Sequence, residues 1–437
     1  MQIKQQLLSA LNQYFEELGK EKTYWIAYSG GLDSHVLLSL CHQLPISCRA
    51  IHINHGLSTH ASEWASHCAR VCENLNIPFI QQNLQLKQER GASLEALARE
   101  KRYSAIIAHM SAHDVLLTAH QKDDQAETLL MQLMRGAGLK GLAAMPAVKV
   151  FAKGYHARPL LPFSRATLEQ YAIQQGLNWI EDESNHNTQF ARNFIRHQVA
   201  PLLASRWPSM TNALARSAEH CAEAQVLLED IALDDYQHVQ GSQANTLSCA
   251  KLLQLTAARQ RLVLRYWIQL QGFLLPNLKK LEAVRQFVLL ARQDRNPCVL
   301  WQGAEVRRYR DNLYLMRPLQ QMNLPAKVSW NFQQQALILP GLGRLEASLS
   351  RGRGLRLNHL PITVCFRQGG ELLAIPKRGR LSLKNILQEY AIPPWERSRI
   401  PLIFAGDHLI AIPGYFAHED YQVKADEAGW VLECRVD

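Results

Sequence analysis

The 437-residue sequence has no apolar run long enough to span a bilayer, and its first residues, Met1-Gln2-Ile3-Lys4-Gln5-Gln6, lack a signal-peptide pattern. Neither a membrane-spanning nor a secreted protein is expected. The nine cysteines are an odd number scattered without framework spacing, which excludes a disulfide scaffold and fits free thiols in a reducing cytoplasm. There is no Cys-x-x-Cys pair; the nearest approach, Cys68 and Cys72, falls on an expected helix and reads as core. Internal repeats and low-complexity tracts are absent. Acidic residues are the scarcer sign, 38 against 48 Lys and Arg, and the resulting net charge of +10 favours an anionic macromolecular partner without requiring one. The 47% apolar content is ample for packed cores, and the length calls for two or three domains.

One stretch organises the rest. Tyr24-Trp25-Ile26-Ala27-Tyr28 reads as a buried strand, Ser29-Gly30-Gly31-Leu32-Asp33-Ser34 as a tight turn, and His35-Val36-Leu37-Leu38-Ser39-Leu40 as the start of a helix. Glycines let backbone N–H groups approach a phosphate, Ser29 and Ser34 add hydroxyls, and a helix amino terminus favours negative charge. Asp33 would repel a phosphate unless a divalent cation lay between them, so it reads as a magnesium ligand. No lysine follows the glycines, which excludes the kinase and GTPase type of phosphate loop. The strand–SGGxDS–helix arrangement resembles the pyrophosphate loop of the ATP pyrophosphatase superfamily, which implies that Ser29, Gly30, Gly31, Leu32, Asp33 and Ser34 bind ATP.

Around this loop, strands and helices alternate. Residues 2–19 form an amphipathic helix with Ile3, Leu7, Leu11, Tyr14 and Phe15 on one side. Further strands are expected at 48–53, at 78–80 and at 115–119, and Ser93 reads as the N-cap of a helix reaching Met110. This alternation implies a parallel sheet covered on both faces, with ligands at the carboxyl ends of its strands. Asn54 and His55 stand past the second strand, where a surface loop is the plainer reading. Past the fourth, in His120-Gln121-Lys122-Asp123-Asp124-Gln125-Ala126-Glu127, Asp124 and Glu127 share one helical face; Asp123 and Asp124 also suit helix capping. Arg135–Leu142 is a glycine-rich basic loop able to touch phosphate.

SGGLDS, HINHGL, AHQKDDQAET and RGAGLKGLAAM, in that order, resemble the tRNA(Ile)-lysidine synthetase family. The acidic run Trp179–Asn185 and the segment Arg192-Asn193-Phe194-Ile195-Arg196 match it too, and the likeness resumes in the C-terminal third. Gln121 departs, standing where many relatives carry a second histidine. The resemblance implies an α/β, parallel-sheet ATP pyrophosphatase (adenine nucleotide alpha hydrolase-like) domain over 1–210, a helical tRNA- or substrate-binding domain over 211–310 and a small, basic α+β tRNA-binding domain over 311–437. It marks His55 as a further nucleotide-binding residue, Asp33, Asp124, Glu127, Arg192 and Arg196 as catalytic, and Asp33 and Asp124 as metal ligands. The implied cofactors are ATP and Mg2+. The implied reaction joins L-lysine to carbon 2 of the wobble cytidine of the CAU-anticodon isoleucine tRNA, through an adenylated tRNA, releasing AMP and pyrophosphate and changing the codon read from AUG to AUA. A cytoplasmic monomer or homodimer is expected. The rivals are a tRNA-thiolating relative and a nucleotide-binding regulator without chemistry.

In the remainder, Leu214, Ala218, Cys221, Val226, Leu227 and Ile231, then Leu252, Leu255, Leu262, Tyr266 and Leu270, carry helical stripes read as core. Arg259, Arg261, Arg265, Lys279, Lys280 and Arg285 read equally as a solvated face or an RNA contact. Short β segments follow. A basic tail including Lys377, Arg378, Arg380, Arg397 and Arg399, with Tyr390 and Trp395 interleaved, suggests phosphate-backbone contact.

Overall fold

Tyr24, Trp25 and Ile26 are buried on both faces of their strand, as a central strand of a covered parallel sheet requires. The computed structural model describes residues 2–54, 56, 60–84, 94–292, 295–319, 327–357, 360–367, 372–375 and 379–435. Ser93 and His55 therefore lie outside the described residues, as do Lys377 and Arg378.

Chain packing defines two compact units, Met1–Leu228 and Glu229–Asp437. The first runs α1 (Gln2–Leu18), β1 (Thr23–Ala27), α2 (Leu32–His42), β2 (Ser47–Asn54), α3 (Ala61–Asn74), β3 (Phe79–Asn83), α4 (Leu94–Ile107), β4 (Val115–Leu117) and α5 (Lys122–Met134). It continues with α6 (Leu139–Leu142), β5 (Val148–Phe151), β6 (Gly154–Ala157), α7 (Arg165–Gln174), α8 (Ala191–Phe194), a π-type turn at Ile195–Val199, α9 (Ala200–Arg206) and α10 (Met210–His238), whose residues from Glu229 on belong to the second unit. The six strands lie in the order β3-β2-β1-β4-β6-β5, parallel except for β5, which forms an antiparallel hairpin with β6. Strand order reverses between β1 and β4. In an open α/β sheet that is where a ligand crevice opens, beyond the carboxyl ends of the strands. Leu7, Leu11 and Phe15 of α1 are fully buried in the core shared with α2 and α7.

The second unit opens with helices at Cys249–Gln254, Ala257–Leu270 and Leu278–Ala283, packed on a four-stranded sheet whose strands are 247–248, 298–301, 304–309 and 312–316. An antiparallel β region with two short helices, Leu383–Glu389 and Pro394–Arg397, completes it. The boundary expected at 310/311 falls in the turn between paired strands 304–309 and 312–316.

Two expected core stripes are corrected. On α10, Ala218 is buried, but Val226, Leu227 and Ile231 are exposed. On 257–270 the buried row is Gln260, Val263, Leu264, Trp267 and Ile268, one position on from the expected Leu262 and Tyr266, and Leu270 is exposed, because consecutive apolar residues there allow either phase. The tail's aromatic reading is corrected at Trp395, while Tyr390 is exposed as a contact would need. Trp395 is buried, edge-on to Tyr314 and Tyr309, and buried Arg397 donates to the Ile392 carbonyl and to the Tyr309 hydroxyl. Both residues hold the C-terminal region together and cannot stack on a base.

Candidate active site

The turn after β1 is shaped by Gly30 and by two hydroxyls. Gly30 has φ +83°, and a Cβ there would come within 2.5 Å of Ile180 Cδ1 and 2.9 Å of Cys68 Sγ. Ser34 Oγ donates to the Gly31 carbonyl at 2.9 Å and lies 3.0 Å from Ser29 Oγ. Gly31 is the N-cap of α2 and supplies no side-chain acceptor, so the first N–H groups of α2 face the crevice available to an anion.

Asp33, in the first turn of α2, is the anomaly of this turn. Its Oδ1 is buried with no hydrogen-bond partner among the described residues, and its Oδ2 lies 3.5 Å from Arg165 Nη1. Burial pushes its carboxyl up to about 6, against the pull of the Arg165 guanidinium and helped by the like charge of Asp124. A buried carboxylate oxygen without a donor suits a hard cation, and magnesium takes one or two carboxylates and completes its shell with water and phosphate oxygens.

Beyond β4, Gln121 is fully buried and caps α5. Its side chain accepts from Asp123 N at 2.6 Å while Asp124 Oδ2 accepts from Gln121 N at 3.0 Å, a reciprocal capping box. That is the work of the glutamine standing in the histidine's place. One turn on, Asp124 and Glu127 face two arginines of matching spacing. Arg192 donates to Glu127 Oε2 and Asp124 Oδ1, both at 2.8 Å. Arg196 donates to Glu127 Oε1 at 2.6 Å and to Asp124 Oδ1 at 3.0 Å. Burial alone would lower the Arg196 pKa, but its bonds to Glu127 and the nearby charges of Asp124 and Asp33 hold it above its ordinary value. Both Asp124 oxygens are thus engaged, and a cation there would have to displace the arginines. Asp123 is committed too, accepting from Arg165 N at 2.9 Å.

The phosphate turn, Asp33, Glu127 and Arg196 line one cleft of about 610 Å³ at the switch point. These are residues the sequence reading assigned to one site; the same wall carries Arg99, Arg102 and Arg165, which that reading did not single out, and His120 and Trp179, which it placed in motif segments without a role. Among the three arginines only Arg165 carried a signal, since Ser164 before it reads as an N-cap, and Ser164 does accept from Thr167 N. Asn54, expected past the second strand, is the last residue of β2, and its side chain accepts from Gly56 N at 2.8 Å.

Cys68 and Cys72 are buried in the core, where burial pushes both thiols up to about 12. Protonated thiols of that kind are poor nucleophiles and poor metal ligands, so the thiolating rival lacks its chemistry at this pair.

Similarity to known proteins agrees with this geometry. The PP-loop domain family matches residues 2–203, the TilS substrate binding domain 247–314 and the TilS substrate C-terminal domain 362–434. The tRNA(Ile)-lysidine synthase of Coxiella burnetii is 45% identical over 97% of this chain and 96% of its own length. That of Shigella flexneri is 41% identical over 90% of this chain and 92% of its own. With such identity along nearly its whole length, the chain belongs to the tRNA(Ile)-lysidine synthase family.

Proposed function

We propose that this protein joins L-lysine to carbon 2 of the wobble cytidine of the CAU-anticodon isoleucine tRNA at the expense of ATP, releasing AMP and pyrophosphate. The observation that carries the reading is the meeting, in one cleft, of a phosphate-binding turn bearing Asp33, whose Oδ1 has no hydrogen-bond partner among the described residues, with Glu127 and Arg196 of a lattice of two acids and two arginines. The amino terminus of α2 and the hydroxyls of Ser29 and Ser34 hold the polyphosphate, and Asp33 is the residue that would hold magnesium. Magnesium, when bound, neutralises charge building on the departing pyrophosphate. Asp124 and Glu127 hold the ammonium groups of lysine and accept the proton that must leave the attacking amine. Arg192 and Arg196, released from those acids, pair with the lysine carboxylate or the α-phosphate, for which a planar guanidinium is suited. The second unit, with its exposed arginines and lysines, binds the tRNA backbone.

The test is incorporation of radiolabelled lysine into total bacterial tRNA with ATP and magnesium. Label on one isoleucine tRNA, lost in Asp33→Ala, supports the reading. Pyrophosphate exchange without lysine incorporation would mean another acceptor. Neither activity with any tRNA would revive the regulator.

A further inference from the structure

Behind the cleft wall runs a buried polar chain that has no part in the lysine and phosphate contacts just described. Arg158 is 3% exposed and has no carboxylate partner among the described residues; it donates Nη1 to the Pro146 carbonyl at 2.7 Å and places Nη2 3.2 Å from His156 Nδ1. His156 is fully buried, with Nε2 2.8 Å from Thr118 Oγ1. Thr118 Oγ1 in turn lies 2.8 Å from His120 Nδ1, and His120 lines the cleft.

The direction of every hydrogen in this chain follows from its inner end. A guanidinium only donates, so His156 Nδ1 must accept and carries no proton. A neutral His156 then holds its proton on Nε2 and donates it to Thr118 Oγ1. The threonine oxygen has room to accept from both imidazoles, but its single hydrogen would then have no acceptor among the described residues, so it goes to its remaining partner, His120 Nδ1. His120 Nδ1 therefore accepts, and a neutral His120 carries its proton on Nε2. That nitrogen has no hydrogen-bond partner among the described residues and belongs to a residue on the cleft wall.

We propose that His120 is a further catalytic residue, a neutral imidazole that presents Nε2–H to an anionic phosphate oxygen in the cleft, with Thr118, His156 and Arg158 as the positioning residues that lock its tautomer. The inference rests on the ATP-dependent reading of the cleft. The surroundings agree with neutrality: burial lowers the His120 pKa to about 4, opposed by Asp124 and reinforced by Arg158, Arg192 and Arg99. A neutral donor fixed in advance stabilises charge as it builds on a phosphate oxygen without the reorganisation that a mobile water would need. It also cannot take the proton of the lysine amine, because its only unprotonated nitrogen already accepts from Thr118. The base must be sought among the acids.

The decisive measurement is long-range 1H–15N correlation NMR of the full chain labelled with 15N-histidine, with His120→Ala assigning the His120 signals. The Nε2–H form is expected, and it should become a mixture of tautomers in Thr118→Val and be restored in Thr118→Ser. A wild-type His120 in the Nδ1–H form, or averaging between tautomers, overturns the proposal. In kinetics, His120→Ala should lower kcat on the order of 10²-fold while leaving the KM for lysine near wild type; an unchanged kcat also overturns it. Failure here is distinct from failure of the reaction. Lysine incorporation with an Nδ1–H imidazole refutes the donor, whereas an Nε2–H imidazole in a chain that transfers no lysine refutes the reaction.

Discussion

Glu127 is 4% exposed and receives both arginines, so its charge is matched only while they stay. Removing one partner of a buried ion pair leaves the other uncompensated, at roughly 3–5 kcal/mol where burial is complete. Arg192 and Arg196 are partly open to solvent, so Glu127→Gln should cost toward the lower end of that range. Urea denaturation would show it as a lower midpoint at unchanged slope, and a midpoint equal to wild type would mean that water already screens the lattice. The histidines of the buried chain make a second residue-scale prediction. Burial drives the His156 pKa far below its ordinary value, with Arg158 adding to the effect. A group that is neutral when folded but protonates readily when unfolded stabilises the fold above pH 6.5 and loses that contribution as pH falls below it. Thermal melts at pH 7.5 and 5.0 should therefore separate more widely for wild type than for His156→Asn; equal separations would place the acid sensitivity elsewhere.

At the scale of elements, the turn between β1 and α2 sets the site, and Gly30 is the residue it cannot lose. Left-handed backbone is strained for an alanine, and its methyl group would press on Ile180 and Cys68. Gly30→Ala should cost about 1–3 kcal/mol in folding and weaken nucleotide binding in calorimetric titration; a variant with wild-type melting and affinity would show that the turn can relax. This element was legible because apolar strand, glycine turn and apolar helix each announce themselves within 17 residues, 24–40. The β5–β6 hairpin was not. Its strands are only four residues long, the fully buried His156 gives no apolar signal, and the turn uses Ala152 at φ +52° where a glycine or asparagine would have signalled it. The buried phase of 257–270 was hidden for the opposite reason, too many adjacent apolar residues. The cleft arginines on α4 and at Arg165 are brought to the loop only by sheet order, which no local pattern in the chain contains.

Across the whole molecule the excess of positive charge has two readings, a solvated face or an RNA-binding one, and the ion pairs of the second unit begin to divide them. Arg259 pairs with Asp235, and Arg261 and Arg285 both pair with Glu282, so these three arginines are partly spent within the fold. Arg265, Lys279 and Lys280 are exposed on the same helices. A protein that neutralises phosphates releases their counterions, so affinity falls with salt in proportion to the number neutralised. With about 6–10 phosphates neutralised, tRNA binding should weaken on the order of 10³-fold or more between roughly 50 and 200 mM salt, whereas lysine binding should change little. Replacing Arg265, Lys279 and Lys280 by serine tests the surface itself, through filter binding across a salt series. Every phosphate that the variant no longer neutralises should reduce the slope of log affinity against log salt by about 0.7–0.9. A slope shallower by about 2 assigns these residues to the tRNA backbone, while an unchanged slope with unchanged affinity returns them to the solvated face and moves the tRNA interface to the exposed arginines nearer the C-terminus, Arg351 and Arg353.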